Sequence, residues 1–246
     1  MKKIAVLTSH FGSNADSFPS VVNQYDDVDY YAFVDRDYEG ADGWRLINST
    51  SFSLDEEFAN RRNAKIYKVA PSLFLPEYDY YVWHDAINCL NVHPKEIIEE
   101  YMGESDMAIF AHPHRNCIYQ EAQVLAYYNL DHIDLLKNQI NAYSAAGYPK
   151  NYGLYELPCF VLKNNATTRK MSLMWWEQIC QFSSRDQISF PFVLGQMKEE
   201  LNISILPGYV HHSDGNKLFL FLDKHGKPTD FDNRDINLFK RQIQNV

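Results

Sequence analysis

Residues 78–85 read "YDYYVWHD", and this run is the strongest constraint that the sequence places on the fold. Tyr78, Tyr80, Tyr81, Val82 and Trp83 are aromatic or β-branched, so the segment favours an extended strand packed on both faces. Such a strand needs cover on either side, which points to a sheet held between helices. It also ends on His84 and Asp85, an imidazole and a carboxylate where the chain leaves the core.

The pattern recurs along the chain. "IAVL" (4–7) gives way to Thr8, Ser9, His10 and Gly12, "DYYAFVDRD" ends in Asp35 and Asp37, and "DMAIFAHPHR" ends in His112 and His114. Helical segments alternate with these strands. Residues 55–69 carry helix formers, "HPKEIIEEYMG" has Pro94 near its first turn and Gly103 as its stop, and 119–129 and 133–148 each alternate polar and apolar residues at helical spacing. "TTRKMSLMWWEQICQF" places Met171, Met174, Trp175, Gln178, Ile179 and Phe182 on one face, with Thr167 as its cap. "LPCFVLKNN", "ISILPGY" and "LFLFL" read as strands. This order predicts one α/β domain over 1–246, an open, mostly parallel twisted sheet flanked by helices, with 233–246 as a tail helix. Sheets of this kind bind ligands beyond the carboxyl ends of their strands.

The net charge of −9 argues against a nucleic-acid partner and against adsorption on anionic lipid. A phosphate-bearing ligand would therefore need a metal ion or a local group of cations. Arg61, Arg62, Lys65 and Lys68 form such a group, with Arg61/Lys65/Lys68 and Arg62/Lys65 as helix-face neighbours at i+3 or i+4. No apolar stretch approaches the ~20 residues of a membrane span, and nothing resembles a signal peptide. The four cysteines are scattered without a CxxC pair, so a reducing cytoplasm is the expected compartment.

Several side chains admit two readings each. Asp85 is either the cap of a turn or an oxygen ligand for Mg²⁺ or Mn²⁺. The cluster at 61–68 is either a solvated helix face or a diphosphate site. His112-Pro113-His114 has the form of a metal HxH pair, while Arg115 and Glu121 either pair with each other or meet sugar hydroxyls. In "SSRDQISF", Ser183 or Ser184 would cap a helix with Asp186 and Gln187 at its positive end. His211-His212 is a surface turn or a source of a further metal ligand, and the Trp175-Trp176 pair is core or a stacking platform for a sugar.

Taken in order, "KIYKVAPSLFLPEYDYYVWHDAI", "HPHRNCIYQEA", "GLYELP" and "WWEQICQFSSRDQISF" resemble the DUF616, or TOD1/MUCI70-type, glycosyltransferase-like domain over roughly residues 60–192. The resemblance implies a GT-A-like nucleotide-sugar transferase, with 1–90 as the nucleotide-binding half and 91–232 as the acceptor and catalytic half. W-x-D stands where other GT-A enzymes carry D-x-D, so Trp83 takes the place of the first acid and Asp85 that of the retained metal-binding aspartate. Lys68 matches the lysine of the first block, with Arg62 and Lys65 just before it. His112, Arg115 and Glu121 match the middle block, and Arg185, Asp186 and Gln187 the last. Two positions depart from the pattern: Pro71-Ser72 stands where the family has a histidine, and Ala86 replaces glycine after the aspartate.

The expected chemistry follows. Thr8 to Gly12 and Asp35 would hold the nucleoside, and Mn²⁺ or Mg²⁺ on Asp85 with His211 or His212 would meet the diphosphate beside Arg62, Lys65 and Lys68. Asp186 would stand near the anomeric carbon, either as the base of an inverting transfer or, with the lean to retention, as stabiliser of an oxocarbenium-like state, and His112, Arg115 and Glu121 would position the sugar or a glycan or lipid-linked acceptor. The rival readings are a metal-dependent phosphohydrolase on His84-Asp85 and the HxH pair, and a non-catalytic nucleotide- or glycan-binding module.

Overall fold

The structure, a computed structural model, describes residues 2–12, 18–50, 52, 58–210, 216–222 and 228–229. His211, His212 and the expected tail helix at 233–246 lie outside the described residues. The N-terminal portion contributes strands β1 (Ile4–His10), β2 (Asp29–Val34) and β3 (Arg45–Asn48), helix α1 (Ala59–Val69), and strands β4 (Tyr80–His84) and β5 (Asn88–Leu90). Helix α2 (Pro94–Ile97) runs on through a π turn at Ile98–Met102 into β6 (Met107–Ala111), α3 (Ile118–Tyr127) and α4 (Ile133–Ala145). Then come β7 (Tyr155–Lys163), α5 (Ala166–Gln181), α6 (Asp186–Gln196), β8 (Ile203–Ile205), β9 (Phe219–Leu222) and β10 (Pro228–Thr229).

Seven strands form one sheet in the order β3-β2-β1-β4-β7-β6-β8, while β5, β9 and β10 make a small second sheet. All neighbouring pairs of the large sheet are parallel except those of β7, which runs antiparallel to both β4 and β6. One sheet thus spans both halves expected from the sequence.

β4 lies in the middle, between β1 and β7, and this explains its apolar run. Tyr81 and Trp83 join Leu7, Phe33, Phe160, Met171, Trp175, Ile179 and Phe190 under the layer of α1, α5 and α6. Tyr80 and Val82 face the opposite way, with Ile4, Val6, Ile97, Met102, Phe110 and Phe219. Each strand face is therefore dry, as side-chain alternation requires for a doubly covered sheet. α3 and α4 add a satellite core through Leu125, Leu136 and Tyr143 against Ile188 and Phe192 of α6.

β3 and β5 are not evident from sequence: "RLIN" is half exposed at the sheet edge and "NCL" is three residues long, so neither carries an apolar run. The cap of α5 is Asn165, two residues before the expected Thr167. Its side chain accepts from Thr168 N while Thr168 Oγ1 accepts from Asn165 N, a reciprocal box.

The expected face of α5 is buried at Met171, Trp175 and Ile179, and the Trp175 indole also donates to Ser189 Oγ of α6 at 3.1 Å. Trp175→Ala would open a cavity and leave that hydroxyl without its donor, so we expect a loss of about 3–5 kcal/mol, measured by denaturant unfolding.

Candidate functional site

Helical periodicity sorts the cations of α1. Arg61, Lys65 and Lys68 recur at i, i+4 and i+7, and all three line a cleft of about 290 Å³ at the ends of β1 and β4. Arg62, one position off that row, points elsewhere. Its guanidinium donates to the carbonyls of Ile179 and of Phe182 (3.0 Å), closing the C-terminal end of α5. Arg61 takes the place in the cleft that the sequence comparison gave to Arg62.

Trp83 and Asp85 reach the cleft from the end of β4. Asp85 is anchored through its backbone N–H, which donates to Pro158 O at 2.7 Å. Opposite it, β7 bulges. Its register against β6 steps from Phe160 beside Ile109 to Glu156 beside Phe110, and the displaced Leu157 and Pro158 form part of the cleft wall. The third wall is the start of α6, which brings Arg185, Asp186 and Gln187.

Ser183 and Ser184, expected as helix caps, do something else. Ser184 donates through N (3.0 Å) and Oγ (2.6 Å) to Asp131 Oδ2, and Ser183 Oγ donates to Gln139 Oε1 at 2.5 Å. Asp131 is fully buried in the α3–α4 connection and also lies 3.9 Å from Arg61. It fixes the turn that presents Asp186, and local sequence pattern gave no sign of it.

At the centre is Lys68, only 2% exposed. Its Nζ lies 3.1 Å from Asp85 Oδ1 and 2.8 Å from Asp186 Oδ2, and 5.7 Å above the Trp83 ring. Lys65 Nζ approaches the same Asp186 oxygen at 2.6 Å, and Trp83 Nε1 donates to Asp85 Oδ1 at 2.8 Å. Burial works against the charge of Asp186, but the two ammonium groups outweigh it and hold the carboxyl well below its usual range. Burial likewise works against Lys68, and the carboxylates of Asp186 and Asp85 more than offset it, so the ammonium is held above its ordinary value. Lys65 ends lower, at about 8, because burial and the Lys68 charge exceed the help from Asp186. Arg61 is pulled down by burial and by the nearby Arg185 guanidinium, and Arg185 Nε is buried without a hydrogen-bond partner. Two guanidinium groups this close, one with an unused donor, are suited to an anion.

The other expected site residues lie apart from this cleft. Thr8 is fully buried on the strand face of Ile4 and Val6, and Ser9, on the alternate face, lines the cleft in its place. Asp35 closes the turn after β1, its Oδ2 accepting from Gly12 N at 2.7 Å and its Oδ1 from Tyr38 OH at 2.8 Å. Gly12 has φ +71°, and any side chain there would run into Asn60.

His112, Arg115 and Glu121 form their own cluster. His112 Nδ1 accepts from the N–H groups of His114 and Arg115 (3.1 and 3.0 Å), and Arg115 Nε donates to Glu121 Oε2 at 2.6 Å. Burial and the Arg115 charge push the His112 imidazole down to about 3. This cluster folds the β6–α3 turn and does not line the cleft. His84 is buried on the far side of β4 from Trp83, edge-on to Trp44 at 5.5 Å, and burial pushes it down to about 4. Neither tryptophan of 175–176 lines the cleft; the indole that does is Trp83.

The described residues of the cleft do not form a ligand set for a divalent cation; His211 and His212, expected as ligands, lie outside the described residues. Among the described residues no three His, Cys, Asp or Glu side chains gather as ligands. The Asp85 oxygen facing the centre already accepts an indole N–H and an ammonium.

The model of the TOD1/MUCI70 glycosyltransferase-like domain matches residues 29–212. The chain is 26% identical over 213 residues to the probable hexosyltransferase MUCI70 of Arabidopsis thaliana, across 76% of this chain and 36% of that protein. It thus spans about a third of the length of the curated relative it matches. Among solved structures, the apo form of the bifunctional glycosyltransferase WbbM superposes with a TM-score of 0.49 at 14% identity, covering 84% of this chain and 39% of that one.

The Asp131 anchor has a measurable consequence. Asp131→Ala would leave two buried Ser184 donors unsatisfied, at a cost of about 2–4 kcal/mol. Hydrogen exchange at 183–187 should accelerate more than exchange in β1 or β4.

Proposed function

The chain belongs to the TOD1/MUCI70 glycosyltransferase-like family, and from that membership we propose that it moves a sugar from a nucleoside-diphosphate sugar to a hydroxyl of a glycan or lipid-linked glycan. UDP-hexoses are the first donors to try. One observation carries this reading: Arg61, Lys65, Lys68 and Arg185 line the cleft together with Asp85 and Asp186, four cations against two carboxylates, in a chain of net charge −9. A local positive surplus in an acidic protein is what a diphosphate needs and what an uncharged glycan alone does not.

In this reading the diphosphate lies against Arg61, Lys65 and Arg185, with the nucleoside towards the Gly12–Asp35 turn. Lys65 and Lys68 stabilise charge on the departing diphosphate. Asp186 sits near the anomeric carbon, but it is a weak base, because two ammonium groups already hold its proton affinity down. It therefore acts by stabilising positive charge on the sugar ring, which favours retention of anomeric configuration over base-assisted inversion. Gln187, uncharged and beside it, is placed to hydrogen-bond a donor hydroxyl. The His112–Arg115–Glu121 cluster has a supporting place in this scheme, since it shapes the β6–α3 turn.

No helix of the described residues is long and apolar enough to cross a membrane. Work in the cytoplasm beside glycan-assembly machinery belongs to the same proposal, supported by four cysteines without disulfide partners.

Transfer from a panel of nucleotide sugars tests the reading. Asp85→Asn and Asp186→Asn should each lower turnover about 10²-fold with the folded circular-dichroism spectrum kept; changes within about threefold for both would remove these residues from the chemistry. NMR of the first product should show the donor's anomeric configuration. Affinity for nucleotide diphosphate should fall as pH rises through about 8, where Lys65 loses its proton, and Lys65→Arg should abolish that inflection.

A further inference from the structure

We infer that the chain neutralises its leaving diphosphate with fixed protein cations, Arg61, Lys65 and Arg185 against it and Lys68 behind them between the two carboxylates, and requires no divalent metal. The inference rests on the transferase reading above and adds to it the means of charge compensation. Lys68 Nζ stands between Asp85 Oδ1 and Asp186 Oδ2, at 3.1 and 2.8 Å, so the ammonium fills the space between the two cleft carboxylates. A Mg²⁺ or Mn²⁺ ion bridging these two oxygens at ~2.1 Å would have to expel a lysine that is 2% exposed. The expelled ammonium would then lose both of its charge partners in a buried position.

Two further observations point the same way. Trp83, two residues before Asp85, turns an indole N–H donor towards the Asp85 carboxylate, which uses up acceptor capacity where a metal would need another oxygen. The cleft already carries two positive charges beyond its carboxylates, the charge that a divalent ion would bring, and Arg61, Lys65 and Arg185 would repel such an ion. In the step itself, the bond from the anomeric carbon to the diphosphate oxygen breaks and its electron pair stays on the diphosphate. The acceptor oxygen bonds to the anomeric carbon, and the acceptor proton passes to the departing diphosphate. Lys68 and Lys65 hold the charge that develops.

The test uses the full chain freed of metal. UDP binding is measured by calorimetry and sugar transfer or donor hydrolysis by product analysis, each in excess EDTA and with millimolar Mn²⁺ or Mg²⁺. Values in EDTA within about threefold of those with metal are expected, together with an unbroken free-ion Mn²⁺ EPR signal when Mn²⁺ is titrated into the protein alone. Activity lost in EDTA and regained more than tenfold with Mn²⁺ would overturn this inference and leave the transferase reading standing. Absence of nucleotide binding and turnover under every condition would overturn both. Lys68→Met should weaken UDP binding at least tenfold in EDTA, and unchanged binding would also overturn the role of Lys68. Should that variant not fold, the EDTA comparison and the EPR titration on the unaltered chain decide the matter.

Discussion

A buried ammonium shared by two carboxylates holds the site together. Lys68 comes from α1, Asp85 from the exit of β4 and Asp186 from the first turn of α6, three separate elements. Lys68 and Asp186 are buried, and neither charge is stable alone in such a place, since an unpaired buried ion costs several kcal/mol. Each therefore requires the other, and the half-buried Asp85 adds a second partner for the ammonium. The cluster stabilises the fold less than well-packed apolar side chains would, but it fixes where the ends of three elements meet.

The surrounding architecture serves that meeting point. The antiparallel course of β7 places its bulge against the exit of β4, so Pro158 can hold Asp85 by the backbone while Leu157 closes the wall. On the other flank, Asp131 grips Ser184 and sets the entry of α6. Beneath, Trp83, Trp175 and Phe190 pack in one core layer, which gives the cleft a rigid floor. Family membership and the cation surplus then bear on one reading, a sugar nucleotide held by its diphosphate.

The sequence was most legible where periodicity and burial coincide. The double-sided apolar run of β4, the polar strand exits and the buried face of α5 all follow from composition at fixed spacing. Asp85, Lys65, Lys68 and Asp186 were also within reach, through motif resemblance and helix-face geometry. The misplacements have physical causes. Arg62 is one residue, about 100° of helix, away from the cleft row. Thr8 falls on the wrong strand parity. The 112–121 motif is satisfied within its own turn, so its polarity says nothing about the cleft. Asp131 acts on Ser184 across 53 residues of chain, which no local pattern encodes.

The hold of Arg62 on the last carbonyls of α5 gives α1 a fixed rotational phase. One edge of the helix is latched to its neighbour while the edge about a quarter-turn round carries the amines. Residue count between the latch and the amines therefore matters more to the cleft than residue identity along the rest of the helix. Lengthening this segment by a single position would swing the working side chains into the apolar layer, with every local helical preference left intact.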